Sequence, residues 1–431
     1  MKTIFASSNQ YVSAIKIIRI SGPRAKEVPK IFNFYRNKPK TFQIRKLKYN
    51  NKTIDTIPVV WLPGPNTYTG EDVYELHIHG ATAVEEIIYT VLLKEKNFKV
   101  ADKGEFTRRA VLNGRMDLTQ AEAVNDLINS ETEKQLELAN STLDGNLKQT
   151  IQQWREQIVK LFSSIEVLID FSDEDIPVDV EEIFLKKLNK LINDFEESLK
   201  FSSYSRSLRN GFVISIIGKP NVGKSSLMNR IIDKDVSIVT NIAGTTRDLI
   251  EHKQNINGFP VYFNDTAGIR NTVSKIEEEG IKKTKEIVLN SDIVLNLSDK
   301  GQFSLPFDLK KLNIINVSTK NDINNKKYEK EKISISVKTN NGITKLLKMI
   351  YNDLKALEPN EPSMLSNLRQ INGVKKALKA LKRIKKLSLT KETELVAEEL
   401  RLSAAAISNI TSAVDIEEIL DEIFNKFCIG K

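Results

Sequence analysis

The sequence predicts a mixed fold, α/β plus all-α, with a mostly parallel sheet inserted between two stretches of helix. Short apolar runs broken by turn residues occupy the chain up to about residue 113, and helical periodicity follows them. A second region, in which apolar runs alternate with helical stretches, interrupts this periodicity. We therefore expect four segments: an α/β domain over 1–113, the first part of a helical domain over 114–210, an inserted sheet domain over 211–355, and the second part of the helical domain over 356–431.

The N-terminal segment is predicted as a small α/β domain. Its strand-like runs at 14–20 and 57–62 end in turn signals at 21–23 and 63–66. From residue 117 the pattern changes, because apolar residues recur at helical spacing. Long helices are therefore expected up to residue 210.

The inserted segment begins at Gly211. Its first apolar run, 212–217, ends in a glycine, and further runs at 261–263, 293–297 and 314–317 alternate with helical stretches. This alternation favours a mostly parallel sheet with flanking helices. Helical spacing returns after a break at 358–362.

Composition limits the function classes. A chain of 431 residues exceeds one typical core, so two or three domains are expected. No segment approaches the apolar run that a membrane span needs, and residues 1–20 lack the pattern of a signal peptide. Cys428 is the only cysteine, which excludes internal disulfides and favours a reducing compartment, by default the cytoplasm. The formal net charge of +9 favours polyanionic partners such as nucleic acid.

A phosphate-binding loop is predicted at 218–225, where the sequence GKPNVGKS follows a strand-like run and precedes a helical stretch. The glycines let backbone N–H groups surround phosphates, and the helix N-terminus adds partial positive charge. Lys224 is placed to reach the β- and γ-phosphates, and the Ser225 hydroxyl to bind Mg²⁺. The alternative, a chance glycine turn, does not account for the strand and helix on either side.

Two further motifs fit the same nucleotide site. DTAG at 265–268 follows a strand, so Asp265 is expected on the metal side and Gly268 near the γ-phosphate. Thr246 is the expected switch threonine, which completes Mg²⁺ coordination only while the γ-phosphate is present.

The base is predicted to be guanine. In the sequence TKND at 319–322, the Asp322 carboxylate is placed to accept hydrogen bonds from two guanine N–H groups, which favours GTP over ATP. The sequence SVK at 336–338 is a weaker candidate for a last contact with guanine. Thr319 stands where an asparagine is usual, and its shorter side chain predicts a looser tie to the phosphate loop.

The residues around hydrolysis depart from the usual pattern. Ile269 stands where many small GTPases have the glutamine that orients water. A glutamate of the acidic run 277–279 is one candidate to replace it, and the alternative is a solvated start of the following helix. Asn221 is a candidate ligand for a monovalent cation, which would place positive charge where an arginine finger acts.

Beyond these motifs, the whole chain resembles the MnmE (TrmE) family of tRNA-modification GTPases. The resemblance rests on IRISG at 18–22, PNTYTGED at 65–72, GEFTRRA at 104–110, LTQAEA at 118–123 and the final CIGK at 428–431. It implies a homodimer that works with the flavoprotein MnmG to add a carboxymethylaminomethyl or aminomethyl group to C5 of the wobble uridine, U34, in certain tRNAs. It also implies K⁺-activated GTP hydrolysis and a one-carbon donor, 5-formyl- or 5,10-methylene-tetrahydrofolate.

The resemblance extends to particular residues. Glu277 is implied as the catalytic glutamate, and the N-terminal domain as the folate-binding and dimerisation domain. The implied ligands are Ser225 and Thr246 for Mg²⁺; Asn221, Thr240, Ile242 and Thr245 for K⁺; and Arg19, Glu75, Arg115 and Lys431 for folate. Together with the motifs, it gives as nucleotide-binding residues Asn221, Val222, Gly223, Lys224, Ser225, Ser226, Thr240, Asn241, Ile242, Ala243, Gly244, Thr245, Thr246, Asp265, Thr266, Ala267, Gly268, Lys320, Asp322, Ser336, Val337 and Lys338.

Three other features have two interpretations each. The Cys428 thiol is either a nucleophile or redox group near folate, or a residue that packs the tail. His77 and His79 alternate along a strand, and two ligands without a third favour packing over metal binding. The basic helix around 375–386 either contacts tRNA or an acidic partner, or is a solvated lysine face.

Two other functions also use a phosphate loop or a folate site. A ribosome-assembly GTPase would use the same phosphate loop to drive RNA docking, but no RNA-binding module is recognisable in the sequence. A folate-binding scaffold with a vestigial GTPase conflicts with the intact Lys224, Ser225, Thr246 and Asp265.

Overall fold

The computed structural model describes residues 2–9, 13–170, 178–234, 251–265, 285–303, 312–323, 328, 330–359, 364–389, 391–412, 417–424, 427 and 430. Within this part of the chain the fold is α/β plus all-α, as predicted, with two six-stranded sheets and a set of long helices. No helix in these ranges is long and apolar enough to cross a lipid bilayer.

The first sheet has the strand order β3-β4-β5-β2-β1-β6. All neighbouring strands are antiparallel except β1 and β6. Side chains alternate between its two faces, so Ile18 and Ile20 of β2 are fully buried while Arg19 lies on the opposite face. The buried face packs around Trp61 and Tyr74. The elements are β1 (Thr3–Ser7), β2 (Ile15–Ser21), α1 (Val28–Ile31), β3 (Gln43–Tyr49), β4 (Lys52–Leu62), β5 (Val73–His79), α2 (Thr82–Lys94) and β6 (Phe98–Val100).

The helical residues follow this sheet and return at the end of the chain. Leu118 and Val124 of the first long helix after the sheet share a buried cluster with Leu420 and Phe424 near the C-terminus, so segments about 300 residues apart form one core. The helices are α3 (Glu105–Leu112), α4 (Leu118–Ile128), α5 (Glu133–Leu143), α6 (Asn146–Asp170), α7 (Val178–Asn210), α11 (Leu368–Ile384), α12 (Thr393–Thr411) and α13 (Glu417–Phe424).

The second sheet has the order β12-β11-β10-β7-β9-β8 and is parallel except for β8, as the alternating pattern predicted. Its first strand in the sequence, β7, lies between β9 and β10, so the direction of winding changes at β7. Ligands of such sheets bind beyond the carboxyl ends of the strands at this switch point. The elements are β7 (Phe212–Gly218), α8 (Lys224–Lys234), β8 (Glu251–Ile256), β9 (Phe259–Asp265), a helical stretch at 285–289 called α9, β10 (Ile293–Ser298), β11 (Asn313–Ser318), β12 (Ile333–Ser334) and α10 (Ile343–Ala356).

The chain divides into two compact units, both discontinuous in sequence. One consists of Met1–Ile128, Thr142–Phe162 and Arg401–Lys431 and contains the first sheet. The other consists of Asn129–Ser141 and Ser163–Leu400 and contains the second sheet. Helical residues therefore belong to both units.

Candidate functional site

The loop between β7 and α8 has the backbone conformation of a phosphate-binding loop. Gly218 has φ +148°, and a Cβ at this position would lie 2.4 Å from the carbonyl oxygen of Leu297 on β10. Only glycine therefore allows β7 to lie so close to β10 at this point. Asn221 and Gly223 also have positive φ, +61° and +95°. These conformations turn the chain sharply and start the helix at Lys224.

Lys224 lies against this loop. Its Nζ donates to the carbonyl oxygens of Gly218 and Lys219, 3.0 Å away in each case, and the residue is buried. The ammonium is therefore held at the loop, beside the first N–H groups of α8, where an anion is favoured. Asn221, Ser225 and Ser226 are exposed. The structure thus gathers the predicted phosphate-binding residues from Asn221 to Ser226 into one loop and helix start.

The loop of 319–322 is tied to the phosphate loop by Thr319. The Thr319 hydroxyl donates to the carbonyl oxygen of Val222 at 2.7 Å, and both residues are buried. The looser tie expected from the shorter threonine side chain stays a prediction, and in the structure the Thr319 hydroxyl does span the gap between the two loops. Lys320 has φ +59° and its Nζ lies 3.2 Å from the Asp299 carboxylate.

The loop that starts at Ser336 contacts Asp322, the residue predicted to bind guanine. The Ser336 hydroxyl donates to Asp322 Oδ1 at 2.7 Å. This hydrogen bond, with a smaller contribution from the charge of Lys338, holds the pKa of the exposed Asp322 carboxyl below its ordinary value. The backbone N–H of Asn321 also donates to the Ile335 carbonyl at 3.1 Å. The hydrogen bond from Ser336 therefore favours the ionised form of Asp322 and orients its carboxylate. Ser336 belongs to the segment 336–338, the weaker of the two guanine signals in the sequence.

Asp265 ends β9, next to the strand that leads into the phosphate loop. In the parallel pairing of β7 and β9 it is the register partner of Ile216, two residues before Gly218. The DTAG motif therefore starts at the carboxyl edge of the sheet, next to the strand that leads into the phosphate loop. The other predicted residues of this motif and of the switch lie outside the described residues: Thr240, Asn241, Ile242, Ala243, Gly244, Thr245, Thr246, Thr266, Ala267, Gly268 and Glu277.

On the first sheet, Arg19 and Glu75 form an ion pair. They are register partners on β2 and β5, and Arg19 Nε donates to Glu75 Oε1 at 3.0 Å. The Arg19 guanidinium lies 5.8 Å from the ring centroids of both Tyr68 and Phe106. Arg115 is exposed. Lys431 and Cys428 lie outside the described residues.

His77 lies beside this ion pair, a placement that the sequence did not reveal. Its Nε2 is 3.7 Å from Glu75 Oε2, and this nitrogen is buried without a hydrogen-bond partner. The Phe42 ring contacts the imidazole edge to face at 5.1 Å between centroids. The only sequence signal was the shared strand face, because Glu75 and His77 are two residues apart on β5. His79 instead pairs with Asp55, at 2.9 Å, and no group of three metal-ligating side chains occurs in the described ranges.

A buried network supports the loop next to this pair. Arg109, only 4% exposed in its side chain, contacts the carboxylates of Glu71 at 3.1 Å and Glu105 at 2.9 Å. Glu71 also accepts a hydrogen bond from the Ser21 hydroxyl at 2.7 Å. Because a buried guanidinium needs such partners, this network fixes the loop that carries Tyr68.

A phosphate loop at the switch point of a mostly parallel sheet, tied to the loop predicted to bind guanine, indicates a GTPase. Family models match in two places, "MnmE helical domain" over residues 118–428 and "GTP-binding protein TrmE N-terminus" over residues 3–115. Among the relatives are two proteins described as tRNA modification GTPase MnmE. That of Rickettsia rickettsii (strain Sheila Smith) is 37% identical over 457 residues, with 100% of both chains covered, and that of Bradyrhizobium sp. (strain ORS 278) is 37% identical over 446 residues, with 100% of this chain and 99% of its own covered. The chain belongs to the MnmE (TrmE) family.

Proposed function

We propose that this GTPase modifies tRNA: with the flavoprotein MnmG it adds a carboxymethylaminomethyl or aminomethyl group to C5 of the wobble uridine, U34, in certain tRNAs. The observation that carries the proposal is the match over the full length to proteins described as tRNA modification GTPases, in a chain whose phosphate and guanine loops are both intact. The domain boundaries expected from the sequence, at about residues 113, 210 and 355, form part of this proposal, as do a homodimer and a cytoplasmic location.

The phosphate loop suits a Mg²⁺-bound triphosphate. The Lys224 ammonium already accompanies the loop, and a Cβ at Gly223 would meet no atom within 4 Å, so the loop's open side has room for an anion. Ser225 and Thr246 would hold Mg²⁺, with Asp265 on the metal side. Mg²⁺ held there would supply positive charge that offsets the negative charge developing on the phosphates. Asp322 would accept the two guanine N–H groups.

A monovalent cation would act beside the same loop. Asn221 is exposed, and its backbone has a left-handed conformation, which asparagine tolerates better than most residues. Its side-chain oxygen would hold K⁺ together with Thr240, Ile242 and Thr245. The charge of this cation would take the place of an arginine finger. Glu277 would orient the attacking water in place of the glutamine that Ile269 replaces. We expect faster GTP turnover in K⁺ than in Na⁺, and equal rates would contradict this part of the proposal.

The first sheet would bind the tetrahydrofolate donor. Arg19 and Glu75 together offer a cation and an anion to a ligand that carries a polar pteridine and a glutamate, and the aromatic rings beside Arg19 offer flat apolar surface. Arg115 and Lys431 would add positive charge for the glutamate carboxylates. The role of Cys428 in this chemistry remains a second hypothesis, as nucleophile or redox group.

The test is mass spectrometry of wobble nucleosides in tRNA from cells that lack the gene. Rescue is attempted with the wild type, with Asp265→Asn and Glu277→Gln to remove hydrolysis, and with Lys30→Ala as a control on an exposed residue far from either motif in sequence. We expect the 5-substituted uridine to disappear and to return with the wild type and the control only. Unchanged nucleosides in the deletion strain would refute the proposal and turn attention to ribosome assembly.

A further inference from the structure

One short segment near the end of the chain is strongly basic. Between residues 364 and 391 the sequence contains nine Lys or Arg residues and no Asp or Glu. The formal net charge of the whole chain is also +9, so the remaining residues balance to zero. The segment therefore presents a polyanion with a concentrated positive charge.

The cations lie on the exposed face of α11 and in the turn after it. The opposite face is buried and includes Val374, Leu381 and Ile384. Lys375, Lys379, Lys382 and Lys386 are spaced by four, three and four residues, which places them in a row about 16 Å long at roughly 1.5 Å per residue. The exposed cations of α11 and the turn after it are Lys375, Lys376, Lys379, Lys382, Arg383, Lys385 and Lys386.

Acidic side chains pair with only two of these seven cations. Lys382 pairs with Glu196 of α7 at 2.5 Å, and Arg383 pairs with Glu399 of α12 at 2.8 Å. Within the described ranges, the other five cations form no ion pair. A helix face that only contacts solvent can carry charges of both signs. Like charges three and four residues apart repel one another and destabilise the helix. The uniform sign therefore needs another explanation, which a bound polyanion provides.

We infer that these five unpaired lysines, named here the α11 stripe (Lys375, Lys376, Lys379, Lys385 and Lys386), bind the phosphate backbone of the tRNA. The inference rests on the proposed function, which supplies tRNA as the substrate. Lysine contacts phosphate as a flexible point charge, and each contact releases a counterion condensed on the nucleic acid. No Phe, Tyr or Trp occurs between 364 and 391, so the segment offers no platform on which bases stack. The stripe therefore holds the tRNA by its backbone and does not read its sequence.

The test compares tRNA affinity at several salt concentrations for the full-length protein and two matched double variants. Lys375→Glu/Lys379→Glu reverses two charges of the α11 stripe, and Lys345→Glu/Lys348→Glu reverses two exposed charges on α10. We expect the stripe variant to bind unmodified tRNA at least 10-fold more weakly. Its slope of log affinity against log salt should be smaller by about 0.9 for each phosphate that the variant no longer neutralises. The α10 variant should stay within 2-fold of the wild type, and GTP turnover without tRNA should be normal in both.

Equal tRNA affinity in the wild type and the stripe variant would overturn the inference. This face of α11 would then contact an acidic protein or only solvent. The same holds if the wild type itself fails to bind tRNA. Failure of the proposed function is a separate result: wobble nucleosides would be unchanged in the deletion strain, whereas the stripe variant would still lose tRNA affinity. Normal tRNA binding by the stripe variant, with nucleosides lost in the deletion strain, would refute the stripe alone.

Discussion

In the second sheet the phosphate loop takes its shape from backbone conformation, whereas in the first sheet the Arg19–Glu75 pair depends on strand register. Gly218 and Gly223 hold positive φ within one stretch of sequence, so the loop is specified by residues that are neighbours in the chain. Arg19 and Glu75 are 56 residues apart and meet because β2 and β5 pair in one register. A one-residue slip would turn Glu75 to the other face. The phosphate loop should therefore respond most to changes of the backbone, and the Arg19–Glu75 pair to changes of side chain.

The largest expected effect is that of Gly218→Ala. A Cβ there would lie 2.4 Å from the Leu297 carbonyl oxygen at a φ of +148°, so the substitution combines a backbone clash with backbone strain. Overpacking and strain each cost about 1–3 kcal/mol, so we expect a loss of about 4 kcal/mol in the stability of this sheet. The measurement is the thermal unfolding midpoint without nucleotide, together with GTP affinity.

Gly223→Ala is the matched control for that variant. Its φ is +95°, but an added Cβ would meet no atom within 4 Å. Only strain remains, so we expect a loss of about 1–2 kcal/mol without nucleotide, although GTP affinity should still fall. Similar unfolding midpoints for the two variants would show that the contact with β10 does not fix the loop.

Next in size is the effect of Arg19→Ala on folate binding. The substitution removes a guanidinium of the proposed folate site and leaves Glu75 without its partner, so affinity for 5-formyl-tetrahydrofolate should fall at least 10-fold, or about 1.4 kcal/mol. Isothermal titration of the folate measures this, with GTP affinity expected to stay unchanged. Lys30→Ala removes an exposed cation of α1 and serves as the control. Normal folate affinity in Arg19→Ala would remove this ion pair from the proposed site.

The difference between the regions also explains what the sequence could predict. The fold class, the parallel sheet and the phosphate loop follow from local patterns, since their residues are close in the chain. His77 next to Glu75 and the Arg109 network were missed, because they depend on strand pairing and on helix packing onto a loop. The hydrogen bond of Thr319 was missed for a related reason: the distance that its side chain must span is set by two loops 97 residues apart.

Thr319→Val tests that tie between loops with almost no change of shape. It removes the hydroxyl that donates to the Val222 carbonyl and leaves a buried acceptor unpaired. A buried unpaired acceptor costs about 1–3 kcal/mol, so GTP affinity should fall roughly 10-fold, measured with a fluorescent GTP analogue. Thr319→Ser keeps the hydroxyl and should bind nearly as well as the wild type. Equal weakening in both variants would assign the effect to the missing methyl group and its packing.

The smallest expected effect concerns the charge of Asp322. The Ser336 hydroxyl holds the pKa of this carboxyl below its ordinary value. A lowered pKa means that the contribution of the carboxylate is complete above the ordinary carboxyl range and is lost as the pH falls through the folded-state pKa. Ser336→Ala removes the hydrogen bond and raises the pKa of Asp322. GTP affinity, measured from pH 7 down to about pH 4, should then begin to fall at a higher pH than in the wild type, because protonated Asp322 no longer accepts both guanine N–H groups. Ser334→Ala, two residues earlier in β12, should leave the pH profile unchanged, and identical profiles for Ser336→Ala and the wild type would show that Ser336 orients Asp322 without affecting its charge.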